Sequence, residues 1–264
     1  MRKAKLSEPQ ITQYLARIRS PRNQSLSINY LRQLHLNHLL NIPFENLDIG
    51  MRQEILLDPK RLFDKIVLRR RGGFCYELNG LFYQLLQSLG FDVQMIAARV
   101  YDKTGSLGPA LDHMALLVHL NHNAYLCDVG FGDSFSSPKI MYPGEIQMDL
   151  NRYFRIDKDA DGHYTLSMSE DSVLFETKYL FSKKEYQLVE FIDMCQYHQS
   201  SPKSHFTKGN VITQALPTGR VTLSDTKLVR HHLGERSEQN ILNSDEFCVL
   251  LNQHFGIVWE RNLS

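Results

Sequence analysis

The stretch Arg71-Gly72-Gly73-Phe74-Cys75-Tyr76-Glu77-Leu78-Asn79-Gly80 places a cysteine where a helix is expected to begin. Apolar residues follow it at the spacing of one helix face, and Gly90 comes after the last of them as a C-cap. The free N–H groups and the positive end of the helix dipole favour a thiolate at such a position. Cys75 is therefore a candidate nucleophile, although most free cysteines are small buried core residues.

A histidine and an aspartate follow in the order that a thiol nucleophile needs. His113 stands where one apolar strand begins, and Asp128 ends the next strand before a glycine-rich turn. The short segment Asn121-His122-Asn123 predicts a hairpin, which would bring His113 and Asp128 to the same end. Cys75, His113 and Asp128 are thus predicted to form a triad of nucleophile, base and orienting carboxylate.

Other polar residues near these stretches are assigned no chemistry. Asp112 should point to the face of its strand opposite His113, and Cys127 should pack away from Asp128. His35 lies within a helical pattern and is expected in the core or at its rim.

The composition excludes several classes of protein. With 264 residues, 42% of them hydrophobic, the chain can bury a full core. The balance of 30 Lys and Arg against 29 Asp and Glu argues against binding nucleic acid or a membrane surface by bulk charge. No apolar run reaches the length of a membrane span, and the basic, polar N-terminus is unlike a secretory signal.

The cysteines point to a reducing compartment. Cys75, Cys127, Cys195 and Cys248 are far apart and form no C-x-x-C pair, which argues against a structural metal site. A disulfide framework would be unusual without export. We therefore expect a cytoplasmic protein.

Periodicity divides the chain into three regions that position the triad. Residues 1–90 are mainly helical and carry Cys75, and residues 91–182 contain short strands typical of a barrel or sandwich, with His113 and Asp128. Residues 183–264 mix both types. In this last region we predict helices at Lys183–Tyr197 and Ser244–Phe255 and strands at Val211–Leu223 and Lys227–His232. No linker is visible, so the regions should pack closely.

Four stretches together resemble the arylamine N-acetyltransferases. They are Asn41-Ile42-Pro43-Phe44-Glu45-Asn46-Leu47, the block from Arg71 to Asn79, Asp112-His113-Met114 and Asp128-Val129-Gly130-Phe131-Gly132. The resemblance implies an α+β fold with an N-terminal helical bundle, a central antiparallel β-barrel and a C-terminal α/β lid. It further implies a core like that of cysteine proteases and transglutaminases.

The resemblance also implies an activity. A member of this family transfers acetyl by a ping-pong route from acetyl-CoA through a cysteine thioester, here on Cys75. The acceptor is the nitrogen or oxygen of an arylamine, arylhydrazine or N-hydroxyarylamine. The expected partners are therefore CoA and a small aromatic amine or hydrazine, without a metal, nucleic acid or membrane. We expect a monomer or a weak homo-oligomer.

Further site residues are implied by the same resemblance. Gly130 and Gly132 would lie near the pantetheine arm of the cofactor, and Phe131 and Phe206 would line the acceptor pocket. Glu45 would pair with Arg71. The residues expected near the nucleotide end of CoA are Tyr197, Lys203, Ser204 and Thr207. Where relatives carry Thr-Gly before the histidine, this chain has Pro109-Ala110, a departure in a loop that contacts the cofactor.

Three alternatives remain open on the residues alone. A cysteine hydrolase or transglutaminase-like enzyme would share the triad order and act on amides without CoA. An amide synthase would accept a different thioester donor. A binding module with the same fold would need none of Cys75, His113 and Asp128 together, and their presence argues against it.

Overall fold

The computed structural model describes residues 5–23 and 25–259, which form an α+β protein. Its α-helices are α1 (Glu8–Arg17), α2 (Ile28–Asn41), α3 (Leu47–Gly50), α4 (Pro59–Phe63), α5 (Cys75–Leu89), α6 (Ile192–Ser200) and α7 (Ser244–Phe255). Its strands are β1 (Phe44–Glu45), β2 (Asp92–Val100), β3 (His113–Leu120), β4 (Asn123–Cys127), β5 (Lys139–Ile140), β6 (Ile146–Asp149), β7 (Arg152–Lys158), β8 (Tyr164–Ser169), β9 (Glu176–Tyr186), β10 (Val211–Leu216), β11 (Gly219–Ser224), β12 (Lys227–His232) and β13 (Glu235–Asn240).

The helix ends follow from local residue chemistry. The Asp58 carboxylate accepts hydrogen bonds from the N–H groups of Lys60 and Arg61, and Pro59 occupies the first helical position of α4. A π-helical turn, Asp64–Leu68, continues α4. Gly90 ends α5 in the left-handed conformation with φ 103°, as the sequence predicts.

Eight antiparallel strands form a nearly closed barrel in the order β5-β4-β3-β2-β9-β8-β7-β6. The two edge strands meet through side chains. The Gln147 amide accepts a hydrogen bond from Ile140 N and donates one to Ile140 O, and Lys139 forms a 2.5 Å ion pair with Asp149. The predicted α+β class and antiparallel barrel are therefore confirmed.

Strand β3 forms a wall between two apolar cores because its side chains alternate. Met114 and Leu116 pack into the core shared with the helices, whereas Ala115 and Leu117 pack inside the barrel. Cys127 of β4 is buried on the helix side, so its expected packing role is confirmed. The parity of the strand places His113 on the barrel side.

A second antiparallel sheet, in the order β1-β10-β11-β12-β13, packs against α7. Its first strand comes from the Phe44–Glu45 segment of the N-terminal region. The loop before the nucleophile helix is thereby tied to the C-terminal part of the chain. The division at residues 90 and 182 stays a prediction.

Two predicted elements are wrong. The segment Lys183–Tyr197 is not one helix, because β9 continues to Tyr186, where it pairs with Met95, and α6 begins only at Ile192. The segment Val211–Leu223 is two strands joined by a turn at Pro217 and Thr218, where proline has no N–H for a sheet ladder. Strands β5, β6 and β13 are short or fully exposed, and no pattern in the sequence predicted them.

Candidate active site

Cys75 is the first residue of α5 and is almost fully buried. The preceding residue, Phe74, is extended, and its N–H donates a 3.1 Å hydrogen bond to Glu77 Oε2. Burial raises the pKa of the Cys75 thiol well above its ordinary value, and a backbone hydrogen bond from Met114 only partly offsets this. The thiolate expected from the helix position alone is thus opposed by burial, so the sulfur needs a proton acceptor beside it.

His113 and Asp128 lie together at one end of the β3–β4 hairpin, as predicted. The hairpin turn carries Asn121 and His122 with φ values of 49° and 65°, typical of a two-residue turn. His113 Nε2 lies 2.7 Å from Asp128 Oδ2. Burial raises the pKa of Asp128, but the interactions with His113, Asn79 and the Gly130 N–H together outweigh it and hold this pKa below its usual range. Only Nδ1 of the imidazole remains for another partner.

Asn79 connects these two residues to the nucleophile helix, one turn after Cys75. Its Nδ2 donates to Met114 O at 2.6 Å and to Asp128 Oδ1 at 2.8 Å, and its Oδ1 accepts from Val129 N at 2.9 Å. Sequence reasoning assigned Asn79 no role, although it lies inside the Arg71–Gly80 motif.

Gly130 allows the loop after Asp128 to reach Cys75. A Cβ at residue 130 would lie 2.7 Å from Cys75 Cα and 3.0 Å from Cys75 O. Any larger residue would therefore push the loop away from the nucleophile. Gly130, which the family resemblance places near the cofactor, thus packs on the backbone of Cys75.

His35 supports Asp128 from the opposite side. It is fully buried on α2, where its Nε2 accepts a 3.1 Å hydrogen bond from Asp128 N and its Nδ1 donates to Ser136 O at 2.9 Å. Burial lowers the pKa of His35 to about 4, so the ring is neutral and can accept that bond. The expected core location is confirmed, while the contact with Asp128 had no signal in the sequence.

A buried charge cluster, defined as Glu45, Asp48, Lys65, Arg71 and Glu77, lies on the other flank of the α5 N-terminus. Arg71 Nη2 contacts Glu45 at 2.9 Å and Asp48 at 2.8 Å, and Lys65 Nζ contacts Asp48 and Glu77 at 2.7 Å. The implied pairing of Glu45 with Arg71 is confirmed. Sequence reasoning missed the other three members.

The aromatic residues implied for the acceptor pocket lie near the triad. The rings of Phe131 and Tyr179 pack on His113 with centroid distances of 5.3 and 5.4 Å. Phe206 packs on Phe74, the neighbour of Cys75, at 5.5 Å. Gly132 has φ 90° and approaches the Phe44 ring.

Of the residues implied for the nucleotide end of CoA, Tyr197 lies on α6, whereas Lys203, Ser204 and Thr207 lie in the turn that follows it. The four residues differ in exposure. Ser204 is buried, and its hydroxyl contacts His198 Nδ1 at 3.1 Å and accepts from Phe206 N. The Thr207 hydroxyl donates within the turn, to Ser201 O and Ser204 O. Lys203 is exposed and Tyr197 half-buried.

Two features are missing from the described residues. Over positions 5–23 and 25–259, no group of three or more His, Cys, Asp or Glu side chains could hold a metal ion. Over the same positions, no helix is long and apolar enough to cross a membrane.

Comparisons with known proteins give a consistent result. A family model described as N-acetyltransferase matches residues 27–264. The chain is 30% identical over 262 residues to the arylamine N-acetyltransferase of Escherichia coli K12, covering 94% of this chain and 89% of that one. It is 32% identical over 234 residues to the arylamine N-acetyltransferase / N-hydroxyarylamine O-acetyltransferase of Salmonella typhimurium, covering 88% and 83%. The solved structure of the arylamine N-acetyltransferase from Salmonella typhimurium superposes with a TM-score of 0.89 at 29% identity, covering 98% of this chain and 94% of that one.

Proposed function

The chain belongs to the arylamine N-acetyltransferase family, and from this premise we propose that it carries acetyl groups on Cys75. It is an acyltransferase that moves acetyl to arylamines, with acetyl-CoA as the donor. The observation that supports the role of Cys75 most directly is the 2.7 Å bond between His113 Nε2 and Asp128. This bond leaves Nδ1 for the sulfur, and Asn79 and Gly130 join the hairpin to the turn that bears Cys75.

In the first half-reaction, His113 Nδ1 takes the thiol proton as Cys75 Sγ attacks the thioester carbonyl carbon of acetyl-CoA. Because burial disfavours a lone thiolate, proton transfer to the imidazole accompanies the attack. Negative charge develops on the carbonyl oxygen, and the Cys75 N–H, in the first turn of α5, can donate to it. The C–S bond to CoA then breaks, and His113 returns the proton to the departing CoA sulfur.

In the second half-reaction, the amine nitrogen attacks the acetyl-Cys75 carbonyl. His113 accepts a proton from nitrogen and passes it to the cysteine sulfur as the C–S bond breaks. Asp128 holds the imidazole tautomer and stabilises the imidazolium formed in each half. An arylhydrazine reacts in the same way, and an N-hydroxyarylamine can react through oxygen.

The remaining contacts are assigned as follows. Phe131 and Phe206 line the acceptor pocket. Gly130 and Gly132 have no side chains and so leave space beside their turn for the pantetheine arm. Lys203 and Tyr197 contact the nucleotide end directly because they are accessible. Ser204 and Thr207 hold the shape of that turn, since their hydroxyls already bond within it or to His198.

The larger architecture is proposed in the same terms. Residues 1–90, 91–182 and 183–264 act as the helical bundle, the barrel and the lid, around a core like that of cysteine proteases and transglutaminases. The four cysteines are free, as a reducing cytoplasm would keep them. We expect a monomer or weak homo-oligomer.

Steady-state kinetics with acyl-CoA donors and aromatic amines or hydrazines test this proposal. A ping-pong route predicts parallel double-reciprocal lines and acetylated amine as the product. A cysteine hydrolase would instead release acid from amides without any CoA requirement, and an amide synthase would prefer another thioester. Intersecting lines, or no acetylated amine with any donor, would contradict the proposal.

A further inference from the structure

We propose that Arg152 and Arg220 form a binding site for an anionic group of a substrate. The Asp133 carboxylate fills this site when no substrate is bound. The proposal rests on the function proposed above. Asp133 follows Gly132 in the turn after Asp128, two residues beyond Phe131, whose ring lies 5.3 Å from that of His113. Two residues of chain span at most about 7 Å, so this site borders the reaction centre.

Both arginines converge on a single oxygen of Asp133. Arg152 Nη2, on β7 of the barrel, lies 2.9 Å from Asp133 Oδ1, and Arg220 Nε, on β11 of the second sheet, lies 3.2 Å from the same atom. His231, the strand partner of Arg220 on β12, also helps to lower the pKa of the Asp133 carboxyl. Two permanent positive charges therefore meet one negative charge.

Arg152 and Arg220 together carry one more positive charge than the Asp133 carboxylate balances. Burial lowers the pKa of Arg220, and the nearby Arg152 lowers it further, while Asp133 only partly compensates. For Asp133, burial raises the pKa, but Arg220 and Arg152 outweigh it and hold the pKa below its usual range. A second negative group would relieve the repulsion between the two guanidinium groups.

The arginines also keep unused donors. Arg220 Nη1 donates to Thr213 Oγ1 at 3.1 Å, and Arg152 Nη2 also donates to Ser134 O at 3.0 Å. Among the described residues, Arg220 Nη2 and Arg152 Nε donate no hydrogen bond. The Asp133 side chain is 55% exposed, against 18% for Arg152 and 15% for Arg220. Asp133 therefore covers two largely buried guanidiniums and can move aside for a phosphate or carboxylate, which arginines bind in bidentate fashion.

Two groups on the proposed substrates are anions that such an arginine pair could bind. Acetyl-CoA carries phosphates, and an aromatic amine can carry a ring carboxylate. A purely structural role is the competing explanation, in which the three residues only join the barrel to the second sheet. That role would affect charged and neutral substrates alike.

The test compares each anionic substrate with a neutral counterpart. The donor pair is acetyl-CoA and S-acetylpantetheine, and the acceptor pair is 4-aminobenzoate and its methyl ester. KM and kcat are measured for Arg152→Gln, Arg220→Gln and Asp133→Asn. Arg155→Gln is the matched control, because Arg155 lies on the same strand but pairs with Asp157 and packs over Phe175.

We expect both arginine variants to raise KM for one anionic substrate at least about tenfold, the effect of losing one charge-assisted hydrogen bond. KM for its neutral counterpart should stay within about twofold. Asp133→Asn should lower KM for the same anionic substrate, and Arg155→Gln should change neither. The affected pair tells whether the site takes the donor phosphate or the acceptor carboxylate.

Equal changes for charged and neutral members, or no change at all, would overturn the proposal in favour of a structural role. Loss of folding in an arginine variant is assessed by its thermal transition. If one unfolds, Asp133→Asn decides: an unchanged KM for both anionic substrates overturns the proposal. Failure of the wild-type protein to acetylate either amine with either donor would instead reject the proposed function.

Discussion

The two flanks of the α5 N-terminus are built on opposite principles. On one side lies the buried charge cluster, where Lys65 and Arg71 each contact two carboxylates at 2.7–2.9 Å. On the other side, within residues 5–23 and 25–259, the Cys75 thiol has no ionic partner and His113 is bonded to Asp128 through one nitrogen only. In the cluster each cation contacts two carboxylates and none is left for a substrate, whereas the groups assigned to chemistry can still bind one.

The two flanks are joined by Glu77. One of its oxygens accepts from Lys65 in the cluster, and the other accepts from the N–H of Phe74, directly before Cys75. The cluster therefore sets the start of the helix from which the nucleophile projects. Changes on the paired flank should act on stability first, and changes on the reactive flank on turnover first.

The largest effect is expected for Cys75→Ser. Because an alcohol is a far weaker nucleophile than a thiol paired with imidazole, kcat/KM for acetyl transfer should fall by at least about a thousandfold. The thermal transition should be almost unchanged. Cys248→Ser, which alters a partly exposed cysteine on α7, is the control and should keep full activity. Full activity in Cys75→Ser would contradict a mechanism in which Cys75 carries the acetyl group.

Lys65→Met tests the paired flank. It leaves three buried carboxylates with one cation, so the free energy of unfolding should drop by about 3–5 kcal/mol in urea denaturation. Arg69→Met breaks the exposed pair with Asp64, where both side chains are more than half exposed, and should cost less than about 1 kcal/mol. Equal losses for the two variants would mean that the cluster is not a structural centre.

Asn79→Ala tests whether turnover depends on the connection between the flanks. The variant loses its bonds to Met114, Asp128 and Val129, which should cost about 1–3 kcal/mol of stability. Misplacement of the imidazole should lower kcat about a hundredfold. Gln87→Ala, on the same helix, should leave kcat unchanged. An unaltered kcat in Asn79→Ala would show that the hairpin needs no such connection.

The smallest effect concerns pH. Burial raises the pKa of Glu77 to about 7, against an ordinary 4.5, with Lys65 opposing. Because the folded state binds this proton more tightly than the unfolded state, the resulting stability is present below about pH 4.5 and is lost as the pH rises through 7. Relative to Glu77→Gln, the wild type should therefore lose about 2 kcal/mol between about pH 5 and pH 8.

Asp48 acts in the opposite direction and in a different window. Burial raises its pKa, but Lys65 and Arg71 outweigh it and lower the pKa below 3.8. The stability contributed by Asp48 is therefore present above that value and is lost in stronger acid. Unfolding curves collected above pH 5 isolate Glu77, and parallel profiles for wild type and Glu77→Gln would contradict its raised pKa.

The sequence predicted those features that depend on short segments. The helix beginning at Cys75 and the hairpin bearing His113 and Asp128 follow from periodicity, a glycine C-cap and a turn, all local signals. The Glu45–Arg71 pair came from the family resemblance. What escaped prediction was nonlocal: Asn79 reaches Asp128 across 49 residues, and His35 reaches it across 93.

The misassigned helix at Lys183–Tyr197 has a similar cause. Its first residues, Lys183-Lys184-Glu185, have the polar character of a solvated helix. Pairing of β9 with β2 overrides that preference, because the strand must continue to Tyr186 to extend the barrel. The thiol shows the same limit, since its position at a helix end could be read from the sequence but its burial could not.

The most direct test of the account is peptide mapping by mass spectrometry after wild-type protein is mixed with acetyl-CoA in the absence of an acceptor. We predict one acetyl group on the peptide that contains Cys75, removed when an arylamine is added and recovered as acetylated amine. Acetylated amine formed at the normal rate from both substrates, with no acetyl ever found on Cys75, would contradict the central claim.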